Sequence, residues 1–388
     1  MSASGDSRLA FDLAEFQRRL RAVRDLAVKR GFDVLVLQGP EDIYYVSGFQ
    51  TLGFFAYHAL VVPVGSDPCL VVRYGDRAHV WARSWIQEME AYRDTEDPIA
   101  VTGHVLERSR GGRVGVDTGS DKYLRPTFLT PSAFQRLVAG VPGATFEECP
   151  GVVERLRAIK SPAEIAYVEA AARVASSAVA AGLETVREGR TDRDIAAAVH
   201  SAMILAGGEY PPLPPLITVG AETTLSHNTW SGQTMRAGDV ATLEVPGVVH
   251  RYLAAITRSA VVGEPPSYVP DRVKIVLEAL DSGIGAMRPG VTCAEAYEAF
   301  VKPYQGQYDI PRRVGYSIGV NFPPRWPECP ELDLLPNNRT VLEPGMVFHT
   351  PLDVRVYGEQ RPMFSETVLI TETGHRVLTE GPRVLIRR

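Results

Sequence analysis

His227 and Glu244 are residue types that can do acid–base chemistry. Histidine changes charge near neutral pH and can pass a proton in either direction. Glu244 lies in the apolar run Val240 to Val245, just before Pro246 and Gly247. Burial in such a run raises a carboxylate's pKa unless a cation such as Arg258 or His227 pairs with it. Plainer readings stand beside these: a lone histidine is more often a surface or core residue than a catalyst, and Glu244 can face outward from a weakly alternating strand. Tyr316 lies between Gly315 and Gly319, small residues that let a ligand approach the backbone closely. Arg325 and Trp326 follow in NFPPRWPE, a run too rich in proline for a regular element. An arginine beside an aromatic can hold a carboxylate bidentately, although a surface arginine is the simpler reading.

The elements that must position these groups are legible in outline. Phe11 to Lys29 predicts an amphipathic helix, with Phe16, Leu20, Val23 and Ala27 at helical spacing and Gly31 ending it. Val34 to Leu37 reads as a buried strand. Leu60 to Val64 and Leu70 to Arg73 read as a hairpin around Gly65 to Pro68, and Val114 to Val116 as another short strand. The first 150 residues are thus mixed α/β, with a boundary expected near Cys149-Pro150-Gly151 and a second domain over 151–388. Ser161-Pro162-Ala163-Glu164 is a capping box with proline at the first helical position. VREGRTDRDIAAAV (186–199) and MRPGVTCAEAYEAF (287–300) share a pattern of helix end, Gly, Thr cap and new helix. This suggests two similar halves about a pseudo-twofold, although helix caps also converge on Gly and Thr by themselves.

Composition excludes several function classes. The chain has 388 residues, is 45% hydrophobic and 22% charged, and carries a net charge of −5. These are the values of an ordinary globular protein, with no basic run to bind nucleic acid. No stretch reaches membrane-span length, and the first twenty residues hold no apolar core of signal-peptide length. Cys69, Cys149, Cys293 and Cys329 are scattered, with neither disulfide-framework nor zinc spacing. A reduced cytoplasmic protein is expected.

The segment TLEVPGVVHRYLAAITRSAVVG (242–263) resembles the metal-binding hairpin of the pita-bread metallopeptidases, which include aminopeptidase P, prolidase and methionine aminopeptidase. The resemblance implies metal ligands at five positions, occupied here by Glu244, Ala255, Tyr316, Pro351 and Ser365. One carboxylate, one phenol and one hydroxyl make a poor ligand set for a divalent cation, so neither metal nor other cofactor is expected. His227 stands at the spacing from the first carboxylate where this family, and its metal-free relative creatinase, place a substrate-facing histidine. His349 and Glu366 flank two of the lost ligand positions.

Finer cues resemble the creatinase and ectoine hydrolase branch: His227-x-Thr-Trp230, Glu244 in place of Asp, Arg251-Tyr252, Gly-Tyr-Ser-Ile-Gly (315–319), Pro-Pro-x-Trp (323–326) and Ser-Glu-Thr (365–367). Pro351 and Glu366 depart from creatinase itself, and the pattern leans to the ectoine type. The resemblance spans nearly the whole chain. It implies a creatinase-like amino-terminal α/β domain, a carboxy-terminal pita-bread domain, and a homodimer in which PEDIYYVSGFQTLGFF (40–55) reaches the partner's site. Phe54, Phe55 and Tyr57 form an aromatic cluster beside Gly53 that fits such an insertion. The implied activity is metal-independent hydrolysis of a non-peptide C–N bond in a small zwitterion. Glu244 acts as nucleophile or general base and His227 as proton shuttle, with Tyr316 and Glu366 orienting the nitrogen. Arg325, Trp326, His349, Tyr252 and Phe55 line the substrate. A lyase, isomerase or ring-forming enzyme, and a pseudo-peptidase that binds peptide in a dead cleft, remain open on the same scaffold.

Overall fold

A computed structural model describes residues 9–118, 129–304, 307–308 and 313–388. Residues 1–8, on which part of the leader reading rests, lie outside the described residues. The chain divides into two compact units, Met1–Arg157 and Ala158–Arg388.

In the first unit, Asp12 accepts a hydrogen bond from the Glu15 amide and starts helix α1, Leu13–Lys29, whose Phe16, Leu20, Val23 and Ala27 are buried. Its sheet is built from β1 (Val34–Leu37), β2 (Ala59–Pro63), β3 (Cys69–Arg73), β4 (Met89–Tyr92), β5 (Arg113–Val116) and β6 (Thr145–Glu148). They lie in the order β4-β3-β2-β1-β5-β6, with β2 antiparallel to both β1 and β3 and the remaining pairs parallel. The predicted hairpin is β2–β3. Helices α2 (Pro40–Ser47), α3 (Arg77–Arg83), α4 (Pro98–Ser109), α5 (Pro131–Gly140) and α6 (Glu154–Ala158) complete it. The division falls after Arg157 rather than near Pro150, for a packing reason. Val152 and Val153 belong to the first unit's core, and buried Arg157 lies 3.3 Å from Asp42.

The second unit opens with α7, Pro162–Thr185, whose Ser161 and Glu164 form the predicted capping box. Helix α8 (Asp192–Leu205) follows, then β7 (Leu216–Val219), β8 (Val240–Val249) and β9 (Tyr252–Val261). The second half repeats the plan with α9 (Val269–Ala286), α10 (Cys293–Val301), β10 (Tyr316–Ser317), β11 (Val347–His349), β12 (Leu352–Asp353), β13 (Met363–Phe364), β14 (Thr367–Ile370) and β15 (His375–Val377). Strand β16, Ile386–Arg387, returns to lie beside β9. The internal echo is structural: Thr191 with Asp194 and Thr292 with Glu295 each close a capping box. Gly189 and Gly290, with φ of 80° and 87°, make the preceding turns. The two main sheets run β16-β9-β8-β7 and β10-β11-β14-β15.

The β8–β9 hairpin fixes the site. Its two turn residues, His250 and Arg251, both have positive φ (46° and 64°), the pattern of a type I′ turn. That conformation is strained for non-glycine residues, and Arg251 is held in it by its side chain. The guanidinium donates to the carbonyls of Asn321 (3.0 and 2.6 Å) and Tyr210 (2.8 Å) and stacks over the Tyr210 and Phe322 rings. The turn sets Glu244 opposite Thr257 and Pro246 opposite Ala255. Alternation then sends Leu243, Val245 and Ile256 into the core with α7 and α8. Glu244, Ala255 and Thr257 point to the other face. Gly247 lets α7 approach closely, since a Cβ there would stand 2.0 Å from the Ala171 carbonyl oxygen.

Candidate active site

The face of the hairpin that carries Glu244 meets the second sheet through a bridge between Thr257 and Ser365. A continuous hydrogen-bonded chain runs there. The Ser365 hydroxyl donates to Thr257 Oγ1 at 2.8 Å, and Ser365 Oγ lies 2.7 Å from His349 Nε2. His349 Nδ1 lies 2.9 Å from the Tyr316 hydroxyl. Ser365, His349 and Thr257 are fully buried, and Tyr316 nearly so. Burial, reinforced by the nearby Arg313 charge, pushes the His349 imidazole down to about 3. The ring is therefore neutral throughout the physiological range. Arg313 itself lies over the Tyr316 ring, 4.4 Å from its centroid.

Four of the five positions where the resemblance implies metal ligands, Glu244, Ala255, Tyr316 and Ser365, thus gather in one place. Ala255 shares the face of Glu244 and Thr257, and its backbone is held by the Thr367 hydroxyl. Tyr316 and Ser365 are the ends of the His349 bridge. The fifth, Pro351, follows His349 by two residues and is buried. As a donor set these do not fit a metal ion. Glu244 supplies the lone carboxylate, and both nitrogens of the nearest imidazole are engaged in hydrogen bonds. Among the described residues no group of three or more His, Cys, Asp or Glu could hold a metal.

Glu366 stands apart from this cluster, contrary to its expected role in orienting substrate. It is next to Ser365 in sequence and so points the opposite way. Its Oε1 accepts from Arg258 at 2.7 Å and Arg383 at 2.8 Å, and Thr379 donates to its other oxygen. Arg258 is consumed in this buried pair, so the pairing with Glu244 considered from sequence is replaced. Tyr252 is likewise displaced: it lies on the α7 face of β9, donates to Glu164 at 2.8 Å and packs against Tyr167. Arg325 is half-buried, and its Nη2 donates to the Glu328 carbonyl at 2.7 Å. Trp326 is buried with its ring 6.3 Å from that of His349, and its indole N–H has no hydrogen-bond partner among the described residues.

His227 is exposed, with φ of 55°, and makes no hydrogen bond among the described residues. Its loop is tied to the Glu244 neighbourhood. Thr229 donates to the Pro215 carbonyl at 2.8 Å, and the next residue, Leu216, pairs with Glu244 across β7 and β8. In the first unit Phe55 is 80% exposed, but Tyr57 does not join it as a solvent-facing tip. The Tyr57 hydroxyl accepts from Gln38 and bonds Thr102, and burial pushes it up to about 12. Thr257 was not among the residues expected from sequence. Its signal is alternation: it lies two residues beyond Ala255, on the same face.

Comparison with known proteins agrees with this architecture. The model of metallopeptidase family M24 matches residues 166–372, and that of the creatinase/prolidase N-terminal domain matches residues 19–159. An ectoine hydrolase from Halomonas elongata is 28% identical over 400 aligned positions, covering 97% of this chain and 98% of that one. A Pyrococcus furiosus Xaa-Pro dipeptidase is 31% identical over 245 positions, 62% of this chain and 68% of its own length. The solved Xaa-Pro dipeptidase of Bacillus anthracis superposes with a TM-score of 0.83 at 21% identity, over 96% of this chain and all of that one. With a family match over more than half its length, and the hairpin, paired helices and capping repeat all in place, the chain belongs to metallopeptidase family M24, preceded by a creatinase/prolidase N-terminal domain.

Proposed function

We propose that this protein hydrolyses a non-peptide C–N bond of a small zwitterion, an ectoine-like cyclic amidine or a guanidino compound, without a metal ion. The observation that carries this reading is the replacement of a ligand set by the chain Thr257–Ser365–His349–Tyr316 beside one carboxylate, Glu244. In this mechanism Glu244 takes a proton from water as the water oxygen bonds to the amidine carbon. The C–N bond then breaks, its electron pair staying on nitrogen, as His227 delivers a proton to that nitrogen; the proton on Glu244 restores His227. The negative charge of Glu244 also suits a cationic amidinium. The likeness to the H. elongata enzyme along both chains supports the substrate class. The dipeptidase likeness makes Xaa-Pro peptides the natural control.

The test is turnover of ectoine, creatine and an Xaa-Pro dipeptide by protein treated with EDTA, with elemental analysis of the same sample. Ectoine or a related amidine is expected to be cleaved at an unchanged rate with far less than one metal ion per chain. Dipeptide cleavage that requires a stoichiometric metal would overturn the proposal.

Exposed Leu52 and Phe55 support a twofold dimer in which a second copy covers this tip. Sedimentation should give a dimer mass, and Phe55→Ser should shift it toward monomer. A wild-type monomer with full activity at nanomolar concentration would contradict the assembly.

A further inference from the structure

The hydrogen bonds at His349 have a direction. The single hydroxyl hydrogen of Ser365 is spent on Thr257. Ser365 Oγ can therefore meet His349 Nε2 only as an acceptor, which places the ring hydrogen on Nε2. A neutral imidazole has one N–H, so Nδ1 is bare and must accept from the Tyr316 hydroxyl. With its hydrogen committed inward, the Tyr316 oxygen meets anything else as an acceptor. Beside this chain stands a buried donor of the opposite kind, the Trp326 indole N–H, which has no partner among the described residues. A buried N–H left unsatisfied is costly, and an oxygen supplied by a ligand would relieve that cost.

We propose that the fixed tautomer of His349 makes Tyr316 a specificity-determining residue. Its oxygen, with the Glu244 carboxylate, accepts from the N–H groups of a cationic head, and the Trp326 N–H donates to an oxygen elsewhere on the same ligand. This rests on the reading that the Glu244 cluster is the substrate site. A protonated His349 would reverse the polarity. Both ring nitrogens would then donate, and Tyr316 would offer its hydrogen to an anion.

Two measurements test it. Long-range 1H–15N spectra of labelled protein should show one histidine as the neutral Nε2–H tautomer, unchanged from about pH 5 to 8. Tyr316→Phe should move the bare-nitrogen signal of that ring, which assigns it to His349 without altering the histidine itself. Calorimetry should then show acetamidinium binding in preference to acetate, with Tyr316→Phe weakening acetamidinium about tenfold. Trp326→Phe should weaken ectoine while leaving acetamidinium unchanged. An Nδ1–H or imidazolium signal for His349, or acetate bound better than acetamidinium, overturns the inference. Unchanged acetamidinium affinity in Tyr316→Phe also overturns it, as does unchanged ectoine affinity in Trp326→Phe. The spectra need no substrate, so their failure is distinguishable from failure to turn over an amidine.

Discussion

Glu244→Gln is expected to lower kcat by ~10²-fold or more while the protein remains folded, because it removes a general base and keeps the shape of the side chain. The half-buried position of Glu244 makes the substitution mild for packing. Its cross-strand partners Thr257 and Leu216 are held by backbone pairing that the side chain does not supply. His227→Ala should also lose rate. The double variant should lose little more than the worse single, because base and shuttle act as one unit. The measurement is kcat for the three variants on the amidine identified by the turnover screen, with circular dichroism to confirm folding. Wild-type kcat in Glu244→Gln would make this carboxylate structural and favour the reading in which the cleft binds without catalysis.

Glu366→Ala should behave in the opposite way, as a loss of stability. Glu366 and Arg258 are each about 1% exposed, and Arg383 and Thr379 complete the shell. Removing the carboxylate leaves the Arg258 guanidinium buried without its counter-ion, a change that typically costs ~3–5 kcal/mol. In a unit of this size that corresponds to a fall in Tm on the order of 10 °C. Thermal unfolding of the purified variant checks it. A normal Tm with abolished turnover would return Glu366 to the catalytic group, where its sequence position had suggested it belonged.

These two carboxylates show where sequence reading succeeds and where it stops. The helices were legible because their signals are local. The Ser161 capping box, the apolar stripe of α1 and the repeated Gly–Thr turn each depend on residues a few positions apart. That Ala255 and Pro351 bring no donor to positions where the resemblance implies metal ligands was equally local, since an alanine or proline side chain cannot bind a cation wherever it lies. The gathering of His349, Tyr316 and Ser365 needed tertiary structure, because pairings among β10, β11, β14 and β9 join segments scattered along the chain.

Which face each residue takes was also decided there. One step along a strand reverses a side chain, so Glu366 and Ser365, or Arg258 and Thr257, part company across a sheet only one residue thick. The register that decides this comes from the His250–Arg251 turn. That dipeptide carries no Asn-Gly signal and holds its left-handed backbone through contacts with Tyr210, Asn321 and Phe322, which are distant in sequence. The sequence by itself determined which side chains the site could contain. Only the folded hairpin decided which of them face one another, because strand register is set by a turn whose geometry is stabilised from outside it.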